Sequence, residues 1–257
     1  MKKKSKKTLK VFLVGVSVVL VTAISVGLTL AYLTAQTDPI KNDFTAKGDI
    51  SGRLAEPAWK AQDALKIAPG KKVAKNPVID NETGDTYIWV GARMEFTIDI
   101  GDTTSKTVDY ATFTHFVALE NYNPSTSWYE YTDAEVASKT SDTTKKLYKY
   151  YIYKTILEPD KDGTAANPTL TNADVTTPLF TSVTPDVGII IKSGGTATNT
   201  NLTASATLAN LTFKKFDFDI NIKGYGIKAY KSATDADALD EIDDVKAEML
   251  TQLVALT

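Results

Sequence analysis

The chain has 257 residues, of which 43% are hydrophobic, and its 29 basic and 31 acidic side chains give a net charge of −2. It contains no cysteine, which excludes disulfides, thiol nucleophiles and thiolate metal sites. Six of the lysines lie in the first ten residues, MKKKSKKTLK, so the rest of the chain is strongly acidic. An acidic chain argues against binding to nucleic acid, which depends on contacts of Lys and Arg with phosphates.

The N-terminal segment joins this basic stretch to an uncharged, apolar run over residues 11–31. The pattern predicts either a secretory signal peptide or a transmembrane anchor, and in both cases the chain after residue 31 is exported. Small residues precede Tyr32, so cleavage between Ala31 and Tyr32 is favoured over an uncleaved anchor. Cleavage would remove the six lysines and no acid, which lowers the net charge from −2 to −8.

Turn and strand signals begin after residue 67. The sequence APGK at residues 68–71 fits a type II turn with Gly70 in the left-handed position. Pro77 indicates an edge strand or a bulge, because proline cannot donate a ladder hydrogen bond. Residues 87–100 alternate strictly between apolar and other side chains, which predicts a long strand with one buried face.

The middle of the chain gives shorter strand signals separated by turn-rich stretches. These predicted strands cover residues 112–119, 147–157, 188–192 and 202–208. In the second of them, the run YKYYIY places aromatic side chains on both faces. Many strands of modest length joined by turns predict an all-β fold, an antiparallel sandwich or jelly roll.

The last part of the chain predicts one more strand and a helix. In FDFDINIKGYGIKAY, residues 216–230, the apolar positions change parity at Gly224, which predicts a β-bulge there. Residues 233–257 place apolar side chains at helical spacing, with acids in the first turns and Thr234 as a cap. This tail is predicted to be an amphipathic C-terminal helix that docks on the sandwich.

Few side chains indicate catalysis or metal binding. His115, the single histidine, lies in a predicted strand without the motifs of serine hydrolases or zinc proteases. Asp160 and Asp162 begin a D-x-D-G string, but the later ligands of a calcium loop do not follow, so a plain turn is favoured over a metal site. A glycosidase carboxylate pair is not excluded. The sequence predicts a protein that is not an enzyme and uses no cofactor.

Several segments resemble the TasA/camelysin family, which are exported biofilm-matrix and surface proteins of Gram-positive bacteria. The resemblance rests on the N-terminal run through AYLTAQTDPIKNDFTAKGDI, on SGRLAEPAW, on LKIAPGKKVAKNPVIDNETGDTYIWVGARMEF and on FDFDINIKGYGIKAY. It implies that residues 1–31 are a signal peptide removed by a SipW-type signal peptidase, and that residues 45–232 form a jelly-roll domain. Residues 101–207 depart most from the family.

The resemblance also implies a mode of assembly. Residues 32–44, freed by cleavage, would add as a donor strand to an open sheet edge of the next subunit. The apolar anchors of this donor would be Tyr32, Leu33, Ile40 and Phe44. Because such a head-to-tail contact does not close on itself, it propagates as a filament. The expected partners are further copies of the chain, the signal peptidase during export and a minor matrix subunit.

Two alternatives to a secreted matrix fibre subunit stay open. Residues 11–31 could remain as an uncleaved membrane anchor, and the exported domain would then be a tethered adhesin or binding module. The camelysin members have also been described as metalloproteases, but no zinc-binding motif is recognisable here, so a surface protease ranks last. The fibre subunit ranks first.

Overall fold

The structure is a computed structural model, and it describes residues 43–46, 50–59, 69–99, 106–122, 124–160, 173–186, 190–192, 196–198, 216–229 and 241–257. The strands in these ranges are β1 (Asp43–Ala46), β2 (Gly52–Ala55), β3 (Val73–Ala74), β4 (Val78–Asn81), β5 (Ile88–Asp99), β6 (Lys106–Val108), β7 (Val117–Glu120), β8 (Trp128–Glu130), β9 (Lys149–Tyr153), β10 (Ser182–Pro185), β11 (Ile190–Lys192), β12 (Thr196–Thr198) and β13 (Asp217–Lys228). The α-helices are α1 (Tyr110–Thr114), α2 (Asp133–Lys139) and α3 (Ile242–Ala255). The chain is therefore rich in β-structure and carries a C-terminal helix.

The largest sheet is mixed and has the strand order β1-β13-β5-β9-β8, with β6 also paired to β5. The prediction of a long strand over residues 87–100 is confirmed, since β5 covers all but the two end residues of that range. On one side β5 pairs along its full length with β13. On the other side it pairs first with β9 and then with β6. A three-stranded sheet, β3-β10-β7, and a two-stranded sheet, β2-β4, pack against the mixed sheet. The strands β11 and β12 form a separate pair.

The pairing of β13 with β5 is continuous, so the predicted bulge at Gly224 is wrong. Twelve antiparallel pairs run without a break from Asp217 opposite Asp99 to Lys228 opposite Ile88. The change in apolar parity has another cause: the two halves of β13 bury opposite faces. The apolar side chains of β13 before Gly224 face the inner core, whereas Tyr225 and Ile227 face α3 on the other side of the sheet.

The inner core lies on the face of β5 that carries the even-numbered residues. The members from this strand are at most 3% exposed: Ile88, Val90, Ala92, Met94, Phe96 and Ile98. They belong to one cluster with apolar residues of β3, β4, β7 and β10, so the smaller sheets cover this face. Aromatic rings add specific contacts, such as Phe96 with Phe113 at 4.9 Å between ring centroids.

The opposite face of β5 is also buried over its first half, which differs from the expected strand with one buried face. The helix α3 packs on this face with its own buried side chains, which are Val245, Met249, Leu250, Leu253 and Val254. A Cβ on Gly91 would lie 2.6 Å from the Met249 sulfur, so the glycine permits close approach of the helix. The predicted docking of the C-terminal helix is confirmed. Its N-cap in the structure is Glu241, while the predicted cap Thr234 lies outside the described residues.

The other predicted elements are found in part. The predicted turn near residue 70 is present, with Gly70 at φ 73°. The strand β3 ends at Ala74 and β4 begins at Val78, so Pro77 lies between two strands, where it has no ladder hydrogen bond to donate. The strand predicted over residues 147–157 is present as β9, and that over 188–192 as β11. The strand predicted over 202–208 lies outside the described residues.

The strand predicted over residues 112–119 is wrong in its first half. The Asp109 carboxylate accepts a 2.7 Å hydrogen bond from the backbone N–H of Thr112, which caps helix α1. The strand β7 begins only at Val117. No helix in the described part of the chain is long and apolar enough to cross a membrane, and residues 11–31 are outside that part.

Candidate functional site

The strand nearest the N-terminus, β1, occupies an edge of the mixed sheet. It pairs with β13 in parallel, with Asp43 opposite Lys223 and Ala46 opposite Gly226. All the other strand pairs that the structure describes are antiparallel. The predicted boundary between a donor segment ending at residue 44 and a domain starting at residue 45 therefore falls inside β1.

The Phe44 side chain of β1 lies in a slot lined by three glycines, which we call the glycine socket. A Cβ built on Gly52 would lie 2.5 Å from the ring, and one on Gly224 or Gly226 would lie 2.8 Å from it. Real side-chain carbons do not approach so closely, so the ring fits only because these positions carry none. The socket consists of Gly52, Gly224 and Gly226, and its occupant is one half-buried aromatic ring.

Two isoleucines border the glycine socket and connect it to the inner core. Ile50 and Ile79 are 7% and 2% exposed, and both belong to the cluster under the mixed sheet. A Cβ on Gly226 would also lie 3.2 Å from Ile50, and one on Gly224 would lie 3.3 Å from Ile79. The pocket for Phe44 is therefore apolar, and enlarging a glycine would displace either the ring or these neighbours.

The strand that carries Gly52 is held by charged side chains. Arg53 Nη2 donates a 3.0 Å hydrogen bond to Asp80 Oδ2, and Arg53 Nε lies 3.3 Å from Glu82 Oε1. Burial raises the pKa of the Asp80 carboxyl, and the Arg53 guanidinium opposes this shift. These side-chain contacts join β2 to β4 in addition to the backbone pairing of the two strands. One wall of the socket is therefore fixed by its own sheet.

A buried ion pair holds the chain directly after β2. Lys75, 2% exposed, donates from Nζ to both carboxylate oxygens of Glu56 at 2.7 and 2.8 Å. The same Nζ lies 5.0 Å from the centre of the Trp59 ring. Burial lowers the pKa of the Lys75 ammonium, and the charge of Glu56 opposes the shift. The pair connects the end of β2 with the end of β3.

The outer face of β13 and β5, behind the edge that β1 occupies, holds the end of α3. Arg93, 2% exposed, donates from Nη1 to the Leu256 and Leu253 carbonyls at 2.6 and 3.2 Å. Its Nη2 donates to Glu95, and Lys223 lies 3.7 Å from the same carboxylate. Cations at the C-terminus of a helix complement its dipole and its free carbonyls. In the alternation of residues 87–100, Arg93 falls on the face opposite the apolar one, so the sequence pattern does not indicate this role.

Most of the other predicted site residues lie outside the part of the chain that the structure describes. Ala31, Tyr32, Leu33, Ile40 and Asp162 lie outside the described residues. Asp160 is described, and its backbone N–H donates to the Thr83 carbonyl. No cluster of three or more His, Asp or Glu suited to a metal is present among the described residues.

His115 lies at the end of helix α1, where its backbone N–H caps the helix. His115 therefore lies outside the glycine socket, whose glycines are on β2 and β13.

Of the predicted donor anchors, the structure places only Phe44, which is seated against β13 of its own chain. The glycines of the socket were not among the predicted site residues, although a bulge was predicted at Gly224. Gly224 and Gly226 share one face of a strand, and two successive glycines on one face are the signal of close approach by another group. Comparison of the chain with protein-family models, with curated proteins and with solved structures gives no match.

Proposed function

We propose that this protein is an exported structural subunit of the cell surface or biofilm matrix, and that its subunits form fibres by exchanging the N-terminal strand. The residue pattern of the N-terminus and the resemblance to the TasA/camelysin family support export and fibre formation. In the proposed fibre, the donor segment of residues 32–44 extends from one subunit to the next, so that β1 leaves its own sheet edge and takes the place of β1 in the neighbouring subunit. The subunit is a jelly-roll-like sandwich in this proposal.

The observation that carries the proposal is the way in which β1 is held. It is four residues long, it lies at a sheet edge, and one half-buried ring in the glycine socket is its main side-chain contact with the core. An edge strand held by main-chain pairing and a single anchor can be replaced by an identical strand without loss of contacts. A strand in the middle of the sheet, such as β5, has no such freedom.

The connection between β1 and the rest of its own subunit is short. Residues 47–49 alone separate Ala46 from the buried Ile50, so an exchanged β1 reaches about 14 Å from its own domain. Exchange therefore requires neighbouring subunits to contact each other near this sheet edge. The connection to Ile50 contains Gly48, which permits a change in chain direction.

The arrangement of the sheets supports a jelly-roll-like sandwich. The mixed sheet faces β3-β10-β7 and β2-β4 across one apolar core, as two layers of a sandwich do. The helix α3 adds a third layer on the outer face of the mixed sheet.

The first experiment compares residues 32–257 with a variant that lacks residues 32–44, by negative-stain electron microscopy over a range of protein concentrations. We expect filaments of single-subunit width from the intact chain and folded monomers from the deletion variant. Thr45→Ala is a matched control, because Thr45 is exposed on β1, and it should form filaments. Ordinary filaments from the deletion variant would contradict strand exchange.

A second measurement separates the secreted fibre from the tethered module. Mass spectrometry of the N-terminal peptide of the exported protein should find Tyr32 as the first residue. A protein that retains residues 11–31 would favour the membrane-anchored binding module.

A further inference from the structure

We propose that the glycine socket selects the incoming strand of a second copy of this chain, because it admits an aromatic ring at position 44 and so fixes the register of assembly. The inference rests on the proposed strand exchange. It goes beyond that proposal by assigning recognition to Gly52, Gly224 and Gly226 and to one side chain of the partner strand.

Main-chain pairing alone does not fix a register. A parallel ladder repeats every two residues, so a strand displaced by two residues makes the same backbone hydrogen bonds and keeps the same face inward. Specificity must therefore come from side chains. In β1 the inward side chain opposite Gly224 is Phe44, and the next inward residue is Ala46, opposite Gly226.

The sequence of the segment allows the socket to distinguish registers. Between Tyr32 and Trp59 the one aromatic residue is Phe44. A displacement of two residues would bring Asn42 opposite Gly224 and move the ring to Gly226, or bring Ala46 opposite Gly224 and move the ring to the buried Ile222. In both registers the space opposite Gly224 is no longer filled by a ring. The displaced strand would leave an apolar cavity or bury an unpaired amide, and both are unfavourable.

The walls of the socket are held in place by strand pairing that does not involve β1. Gly224 and Gly226 lie within the uninterrupted β13–β5 ladder, and Gly52 lies in β2, which is paired with β4. The three positions come from two different sheets, so the slot is bounded by backbone on two sides. A ring fits between them, and a Cβ on any of the three would collide with that ring.

The test uses two variants of residues 32–257 that fail in complementary ways. Phe44→Ala keeps the socket but loses the ring, so it should accept a strand and not donate one. Gly224→Val keeps the ring but fills the socket, because a Cβ there would lie 2.8 Å from Phe44, so it should donate and not accept. Gly226→Ala serves in place of Gly224→Val if circular dichroism shows that the latter is unfolded.

Each variant alone is expected to lose filament formation. An equimolar mixture should give dimers of twice the monomer mass that grow no further, because each dimer has one end that cannot donate and one that cannot accept. Analytical ultracentrifugation measures these masses. Thr45→Ala should polymerise as the unaltered chain does.

The outcomes distinguish failure of strand selection by the socket from failure of strand exchange itself. If the unaltered chain forms filaments and Phe44→Ala forms them equally well, the socket does not select the strand and the inference is overturned. A mixture that stays monomeric would overturn it as well. If the unaltered chain forms no filaments at any concentration, the proposed function fails and the inference fails with it.

Discussion

Two elements dock on the strand β13, and they are held in very different ways. The helix α3 covers its outer face with an apolar stripe of five buried side chains, and the charged side chains of Arg93 and Lys145 donate hydrogen bonds to carbonyls at its C-terminal end. The strand β1 covers its edge with four residues and one ring. Burial of a large apolar side chain stabilises a protein by about 1.5–3 kcal/mol, so the stripe of α3 outweighs the half-buried Phe44 several-fold.

This difference indicates two kinds of attachment on one strand. The seat of α3 is part of a second core, with tyrosines and Trp89 packed beneath the helix. The seat of β1 is a slot whose walls, β13 and β2, are each paired with a strand other than β1. We expect α3 to stay attached until the whole domain unfolds and β1 to open locally while the rest remains folded. The predictions that follow test this contrast, in order of expected effect.

The largest effect is expected from Arg93→Met. Arg93 is buried and donates to the Leu253 and Leu256 carbonyls and to Glu95, so its removal leaves buried acceptors unpaired. Breaking a buried charged contact of this kind costs about 3–5 kcal/mol. Urea unfolding followed by circular dichroism measures the loss of unfolding free energy. Thr251→Ala, on the exposed side of α3, should change it by less than about 0.5 kcal/mol. A loss below about 1 kcal/mol for Arg93→Met would show that the cation does not hold the helix.

A smaller and more local effect is expected from Phe44→Ala. Since the ring is half-buried, its loss should weaken the docking of β1 by about 1–2 kcal/mol, a factor of roughly 5–30 in the opening equilibrium. Native-state hydrogen exchange of a monomeric sample should show faster exchange in Phe44–Ala46 and unchanged exchange in α3. Equal acceleration in both elements would mean that β1 and α3 open together, which contradicts the contrast.

The smallest effect at neutral pH concerns ionisation beneath α3. The Tyr131 and Tyr150 hydroxyls donate to the Lys246 and Lys145 carbonyls at 2.8 and 2.9 Å, and burial raises the pKa of both phenols above the ordinary value of 10.0. The folded state therefore keeps protons that the unfolded state releases, and stability falls as pH rises above about 10. Below that pH these phenols contribute no pH dependence.

Absorbance of phenolate at 295 nm, recorded together with circular dichroism between pH 9 and 12, tests this prediction. The tyrosines beneath α3 should ionise only as the helix signal is lost. Tyr131→Phe should remove one late-ionising phenol. The residues of the glycine socket do not ionise, so alkaline pH should leave the docking of β1 unchanged until the domain itself unfolds. Normal ionisation with intact structure would contradict the burial of these phenols.

The sequence predicts best those elements whose pattern is set by neighbouring residues. The alternation around Met94 and Phe96 identifies β5 to within one residue at each end, and the helical spacing of Val245, Met249 and Leu253 identifies the docking stripe of α3. The bulge at Gly224 was predicted on the assumption that one face of β13 is buried. A helix almost at the end of the chain covers the other face, and a local pattern carries no information about that.

The remaining errors also come from contacts that a linear pattern does not contain. The alternation after residue 112 resembles a strand, but the Asp109 cap turns the first residues into α1. Arg93 alternates with apolar residues as a solvent-facing side chain does, yet α3 buries it. For the site, the resemblance supplied Phe44 as an anchor, whereas the three glycines around it belong to β2 and β13 and meet only in the folded chain.

The long ladder between β5 and β13 also has a consequence for the order of folding. It joins Ile88 with Lys228 and Asp99 with Asp217, so the central pairing of the sheet closes across a large part of the chain. Contacts of such high sequence separation make folding slow, because the entropy of closing the loop must be overcome before the pairing forms. A chain that emerges N-terminus first exposes the apolar face of β5 until β13 has followed. The strand β1 is thus among the first segments made and among the last that can dock.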